Sequence, residues 1–231
     1  MKSRFILVLA GIASLGSAAS AMQEQQPQQR PPASDPEDIR RLHDYSRCIV
    51  ETRSQRVREL LAADFREDSY RQLADRLYRP EPRCWDRLGD SGRNRRLRVQ
   101  FNTRMFAGSL AEALLRTDIA GAALADRVAF DASRAPLAAR SQEEMLSLCT
   151  VRAVPAQVAA IFATQPAGPE EAAAIRSVTP SLAGCIPAGA TGEFNRPAIR
   201  SMLALAAYRL VQHNMTPRAA AASPASSESA R

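Results

Sequence analysis

The sequence predicts an all-α protein built from two similar disulfide-stapled helical units that pack together, with flexible tails at both ends. Three observations lead to this prediction. Apolar residues recur at helical spacing through most of the chain. Alternating strand patterns joined by Asn-Gly or Asp-Gly turns are absent. The four cysteines form two pairs of equal spacing, Cys48 to Cys84 and Cys149 to Cys185.

The N-terminus has the pattern of a cleavable signal peptide. Lys2 and Arg4 precede an apolar run over 5–15, and small residues end at Ala21. The run is shorter than the roughly 20 residues that a membrane-spanning helix needs. We therefore expect cleavage after Ala21, a periplasmic or secreted protein, and no membrane span after cleavage.

Two segments outside the helical pattern are predicted to be disordered. Residues 22–34 are rich in Gln and Pro, and 215–231 are rich in Ala, Ser and Pro. Neither can bury enough apolar surface to offset the entropy lost on ordering. Between them we expect a first helical unit over 35–118, a connecting segment over 119–140 and a second unit over 141–214.

The two units match when they are laid over each other without a gap, which indicates an internal repeat. The ungapped match starting at Cys48 and Cys149 aligns apolar positions, and a second match aligns the last helices from Phe101 and Phe194. The aligned pairs include Val57 with Val158, Leu60 with Ile161, Leu61 with Phe162, Leu110 with Leu203, Ala113 with Ala206 and Arg116 with Arg209.

Helix start signals occur along both units. Asp35 before Pro36 forms an N-cap with proline in the first turn, and Ser141 with Glu144 forms a capping box. Three further prolines stand at first-turn positions of predicted helices: Pro155, Pro169 and Pro197.

Disulfide formation is the expected role of the cysteines in an exported chain. Four cysteines allow three pairings, and spacing alone does not choose among them. A self-contained repeat unit favours Cys48 with Cys84 and Cys149 with Cys185, whereas a link from Cys48 to Cys149 would contradict it. Zinc ligation is disfavoured because the ligand pairs of such sites are much closer in sequence. A catalytic thiol is disfavoured because the chain has only 2 histidines to act as its base.

No catalytic, cofactor-binding or metal-binding motif occurs in the sequence. His43 is expected on the surface of the first helix, because the adjacent Asp44 does not face it. His213 is expected to cap the end of the last helix. We therefore predict no cofactor and no enzymatic activity.

One arginine-rich loop is a candidate anion-binding site. It lies where the first unit is longer than the second, after Gly89 and Gly92. Such a cluster can hold phosphate or an acidic surface, but no aromatic residues interleave it as a nucleic-acid site would require. The candidate residues are Arg93, Arg95, Arg96 and Arg98.

Three stretches resemble a group of exported helical-repeat proteins with paired cysteines from sphingomonad-type alphaproteobacteria. They are "YSRCIVETRSQRVRELLAADF", "LADRLYRPEPRCW" and "FAGSLAEALLR". The chain departs from that pattern at Ala107, where the pattern has Arg, and at Leu115, where it has Tyr. The resemblance implies an exported helical fold and no particular chemistry.

The sequence therefore favours a non-enzymatic binding or interaction module of the periplasm. The expected partner is another envelope protein, or a small ligand held between the units. Two alternatives are a hydrolase-like enzyme with an unfamiliar site between the units, and anion or nucleic-acid binding by the loop from Arg93 to Arg98.

Overall fold

A computed structural model describes residues 35–79, 81–88, 103–119, 124–187 and 194–216, and every regular element among them is an α-helix. This confirms the predicted all-α class. The predicted signal peptide, the segment 22–34, the arginine-rich loop and the tail from 217 onward lie outside the described residues. The helices are α1 (Pro36–Ala62), α2 (Asp68–Tyr78), α3 (Pro82–Arg87), α4 (Thr103–Asp118), α5 (Leu124–Val128), α6 (Gln142–Ala153), α7 (Pro155–Ala163), α8 (Pro169–Gly184) and α9 (Arg196–Met215).

The predicted helix starts are confirmed. The Asp35 carboxylate accepts a hydrogen bond of 2.8 Å from the Glu37 N–H, and the Ser141 hydroxyl accepts one of 3.1 Å from the Glu144 N–H. These side chains satisfy amide groups that a helix N-terminus leaves without partners. Pro155, Pro169 and Pro197 each lie in the first turn of a helix.

Four features of the helices are not predicted by the sequence. The connecting segment contains the short helix α5, and α9 extends to Met215, one residue into the predicted tail. α1 also kinks at Arg53, where φ is −141° and ψ is 32°. Val154, the residue between α6 and α7, has a φ of −139° and a ψ of 56°.

Both predicted disulfides are present. Cys48 bonds to Cys84 and Cys149 bonds to Cys185, and each bond joins residues 36 positions apart. The first links α1 to α3, and the second links α6 to the end of α8. Their surroundings differ, because Cys48 and Cys84 are 2% and 0% exposed, whereas Cys149 is exposed and Cys185 is half-buried.

The core is centred on the contact between α4 and α9, the most extensive helix pair among the described residues. α1 packs against α4, and α6 packs against α9. We call α1–α4 the first half and α6–α9 the second half. The two halves share one apolar core, to which α4 and α9 contribute the following buried residues: Phe106, Leu110, Leu114, Leu203, Ala207 and Leu210.

The close approach of α4 and α9 depends on Gly108. A Cβ atom at this position would lie 2.4 Å from the Ser201 Cβ and 2.5 Å from the Ser201 Cα. Real Cβ atoms do not approach other carbons so closely, so no side chain fits here unless the helices separate. Next to Gly108 in the chain, the Ser109 hydroxyl lies 2.6 Å from the Ser46 hydroxyl. This hydrogen bond links α4 to α1.

None of the described helices is by itself both long and apolar enough to cross a membrane. α6 and α7 meet the length and composition requirement only as a pair, and they are bent by 100°.

The first prediction concerns the helix crossing. Gly108→Ala should lower the free energy of unfolding by about 1–3 kcal/mol, because the new methyl group overpacks the crossing. Gly184→Ala is the matched control, since a Cβ at Gly184 meets nothing within 4 Å. Chemical denaturation of both variants measures the difference, and equal stabilities would contradict the described crossing.

The second prediction concerns the disulfides. Limiting reductant under native conditions should open the Cys149–Cys185 bond before the Cys48–Cys84 bond, because an attacking thiolate needs access to a sulfur atom. Alkylation at successive times, followed by peptide mapping without further reduction, measures the order. Simultaneous opening, or earlier loss of the Cys48–Cys84 bond, would contradict the difference in exposure.

Candidate functional site

A cluster of charged side chains lies inside the core, at the centre of the molecule. Arg200 on α9 is 1% exposed, Glu112 on α4 is 2% exposed and Glu171 on α8 is 1% exposed. We call these residues, together with Arg116 and His43 beside Glu112, the charge cluster. It joins the two halves, because Glu112 belongs to the first half and Arg200 and Glu171 to the second.

The Arg200 guanidinium is paired on both sides. Its Nε and Nη2 atoms donate to the two carboxylate oxygens of Glu112, each over 2.7 Å, and Nη1 donates to Glu171 over 2.8 Å. Nη2 also donates to the Thr164 carbonyl over 3.1 Å. Such bidentate pairing compensates the cost of taking a guanidinium out of water.

The carboxylates of Glu112 and Glu171 also accept hydrogen bonds from groups other than Arg200. Glu112 Oε1 accepts a further hydrogen bond of 2.8 Å from Arg116, and Glu171 Oε2 accepts one of 3.0 Å from the Ala167 N–H. Burial acts to raise the pKa of Glu112, but its hydrogen bonds and charge interaction with Arg200 outweigh burial and hold that pKa below its ordinary value. Glu112 therefore remains ionised, and its ion pair with Arg200 joins α4 to α9.

His43 lies in this cluster, so the expectation of a surface histidine is wrong. Its side chain is buried, and Nδ1 lies 3.6 Å from Glu112 Oε2. Burial lowers the pKa of His43 from 6.5 to about 4, because it outweighs the attraction of Glu112, and the charge of Arg200 acts in the same direction. His43 is therefore neutral near pH 7.

An apolar groove is lined by residues of both halves. Its walls come from α1, α2 and the loop between them in the first half, and from α6 and α9 in the second half. Arg104, at the start of α4, completes the rim. We call this the groove. Its lining residues are Leu61, Ala63, Phe65, Tyr70, Arg104, Arg140, Ser141, Glu143, Glu144, Ser147, Met202, Leu205, Ala206 and Arg209.

The rim of the groove carries charges of both signs. Glu143 forms an ion pair with Arg104, and Glu144 forms one with Arg209. Arg140 differs from these two arginines. Its Nη1 and Nη2 atoms donate to the carbonyls of Ala63 and Ala62 over 2.8 and 3.1 Å, which caps the C-terminal end of α1.

A second pocket, of about 350 Å³, reaches the edge of the charge cluster. Leu115, Leu124 and Phe162 make its walls largely apolar, and Glu112 and Arg116 also line it. Since both oxygens of Glu112 are bonded to arginine, this pocket offers no unpaired acid or base from the cluster.

The structure describes the predicted disulfide cysteines but not the predicted anion-binding arginines. The four cysteines form the two disulfides and carry no other role. The candidate anion-binding residues Arg93, Arg95, Arg96 and Arg98 lie outside the described residues. Within the described part of the chain, no group of three or more His, Cys, Asp or Glu side chains could hold a metal ion.

Sequence reasoning missed both the charge cluster and the groove. One signal for the cluster is present in the sequence: Glu112 and Arg200 each lie within a run of mainly apolar and small residues. Charged residues are almost never fully buried unless they are paired, so two such residues on neighbouring helices indicate a buried ion pair.

Comparison with known proteins yields no relative: no protein-family model, curated protein or solved structure matches the chain. The resemblance to exported sphingomonad-type proteins therefore stays a prediction.

The third prediction follows from the buried histidine. Between pH 6.5 and about 4 the unfolded chain binds a proton at His43 that the folded protein does not, so lowering the pH through this range favours unfolding. The contribution is up to about 3 kcal/mol. Denaturation at pH 7 and pH 4.5 should show a smaller pH effect in His43→Gln than in the wild type. His213→Gln is the control and should retain the wild-type dependence; equal pH effects in wild type and His43→Gln would contradict the assignment.

Proposed function

We propose that the protein is an exported, non-enzymatic binding module that holds a ligand in the groove between its two halves. One observation carries the proposal. The groove is open, apolar at its base and lined by both halves, while the charged groups of the core are committed to one another. Ligand sites are typically concave and mainly apolar, with a few polar groups that orient the ligand.

The disulfides support export. Two intramolecular disulfides indicate an oxidising environment, and such bonds are rare in the cytosol. Within that setting we propose a periplasmic location, with the signal peptide over residues 1–21 directing the chain there. The proposed location rests on the sequence pattern of that segment.

The state of the titratable groups favours binding over hydrolysis. A general base has to reach the proton that it removes, and its pKa lies near the working pH. Glu112 and Glu171 form ion pairs with Arg200. His43 has a pKa of about 4 and lies beside Glu112, and it does not line the groove. The groove itself contains two glutamates, and each is paired with an arginine.

Several coincidences support the proposed internal repeat. The kink at Arg53 and the break at Val154 are 101 positions apart, as are Cys48 and Cys149, and the backbone angles at the two breaks are similar. α1 ends at Ala62 and α7 ends at Ala163, again with the same offset. A binding site between two copies of one unit is a natural product of such a duplication.

The fourth prediction tests the groove as a binding site. Mature protein isolated from the periplasm should carry a small molecule that is detected by native mass spectrometry and lost on denaturation. Leu205→Trp should reduce the bound fraction at least about tenfold, because the indole fills space that the ligand occupies.

Arg176→Gln is the control, because Arg176 is exposed and does not line the groove. Circular dichroism checks that both variants are folded. Wild-type protein with no bound molecule, or a Leu205→Trp variant that retains it, would contradict the proposed function.

A further inference from the structure

The groove and the charge cluster are built from corresponding positions of the two halves, and each is formed by residues of both halves. Residues up to the second cysteine of each half correspond at an offset of 101 positions, and residues of α4 and α9 correspond at an offset of 93. Six side chains or carbonyls that surround Arg200 then have their counterparts in the lining of the groove. The pairs are His43 with Glu144, Phe162 with Leu61, Thr164 with Ala63, Glu171 with Tyr70, Glu112 with Leu205 and Arg116 with Arg209.

The residue at the centre of each site explains why one is filled and the other is open. Arg200 extends a long side chain between Glu112 and Glu171. Its counterpart at the offset of 93 is Ala107, whose side chain ends at Cβ. The two carboxylates that hold Arg200 are replaced by Leu205 and Tyr70, so the groove has apolar walls where the cluster has charged ones.

The groove therefore suits a small apolar group. The cavity has a volume of about 70 Å³, and about 10–15 Å³ is enough to hold one water molecule. A group the size of several water molecules, such as one ring or a short alkyl chain, therefore fits, and burying its apolar surface favours binding.

The rim adds a requirement for negative charge. The backbone N–H of Arg140 donates to the Glu144 carboxylate over 2.5 Å, but its guanidinium has no carboxylate within hydrogen-bonding distance. The Nη atoms donate to two carbonyls, and Nε lies 3.9 Å from Asp64. Asp64 is bonded to Arg66 by both of its oxygens, over 2.6 to 3.1 Å. A guanidinium has five N–H donors, so Arg140 retains donors for a further acceptor.

The arginines near the groove also repel each other. Burial lowers the pKa of Arg140, and the positive charge of Arg209 lowers it further, although the negative charges of Glu144 and Asp64 act in the opposite direction. An anion bound near these two guanidinium groups would relieve both effects, because it compensates the buried positive charge and screens the repulsion.

We infer that the groove binds a small apolar carboxylate, with the ring or chain against Leu205 and Tyr70 and the carboxylate on the Arg140 guanidinium. This inference rests on the proposed function and names its ligand class. The ligand carboxylate would accept hydrogen bonds from the Arg140 guanidinium, as Glu112 and Glu171 accept them from Arg200 in the charge cluster.

Isothermal titration calorimetry of the mature, disulfide-bonded protein tests the ligand class. Benzoate and hexanoate are the probes, and benzyl alcohol and 1-hexanol are uncharged controls of matched shape. We expect the carboxylates to bind at least about 10-fold more tightly than the alcohols, since hydrogen bonds between charged groups contribute that much. Arg140→Gln should remove this preference, Leu205→Trp should abolish binding of both classes, and Arg176→Gln should change neither. Circular dichroism and thermal unfolding verify that each variant is folded.

The outcomes separate the inference from the proposed function. Equal affinity for acids and alcohols, or an unchanged preference in Arg140→Gln, overturns the carboxylate assignment and leaves groove binding intact. Binding that survives Leu205→Trp overturns both, because the probes then lie elsewhere. Wild-type protein that binds none of the four probes overturns the carboxylate inference, and native mass spectrometry of the periplasmic protein then decides the proposed function on its own.

Discussion

The close crossing of α4 and α9 is the constraint on which the rest of the structure depends. Gly108 allows the backbone of α4 to approach Ser201 so closely that no other residue fits without moving a helix. This approach brings Glu112 within 2.7 Å of Arg200, one residue before Ser201 on α9. The apolar contact between α4 and α9 and the ion pair between Glu112 and Arg200 therefore stabilise the same arrangement. Both require the short distance between the two helices at Gly108.

The charge cluster specifies how the halves meet more than it adds stability. Ion pairs in a protein interior compensate a desolvation cost and often contribute little net free energy, but removing one partner leaves an uncompensated charge that costs about 3–5 kcal/mol. Arg200 engages carboxylates on both α4 and α8. If the halves packed so that these groups were separated, the Arg200 guanidinium would be buried without a carboxylate partner. Alternative arrangements of the helices are therefore less stable.

The groove is the complement of this cluster. The two halves meet at two corresponding places, which we call junctions. Arg200 and its two glutamates fill the first junction. The second junction is open and apolar, because the corresponding positions hold Ala107, Leu205 and Tyr70. The disulfides and the helix caps hold the walls of both junctions in place, because Arg140 joins its loop to the end of α1 and Arg116 joins α4 to the end of α7. The structure therefore contains one contact between the halves that is filled by ion pairs and one that is left open.

The sequence by itself determined the local features. Hydrophobic spacing placed the main helices, and Asp35 and Ser141 marked two of their starts. The expectation of self-contained repeat units favoured the cysteine pairing that the structure contains. These features depend on neighbours along the chain or on a repeated interval. Only the tertiary structure decided the burial of His43, the partners of Arg200 and the position of the groove. Each of these depends on which face of one helix meets another, and short-range sequence patterns carry no information about contacts between residues so far apart in the chain.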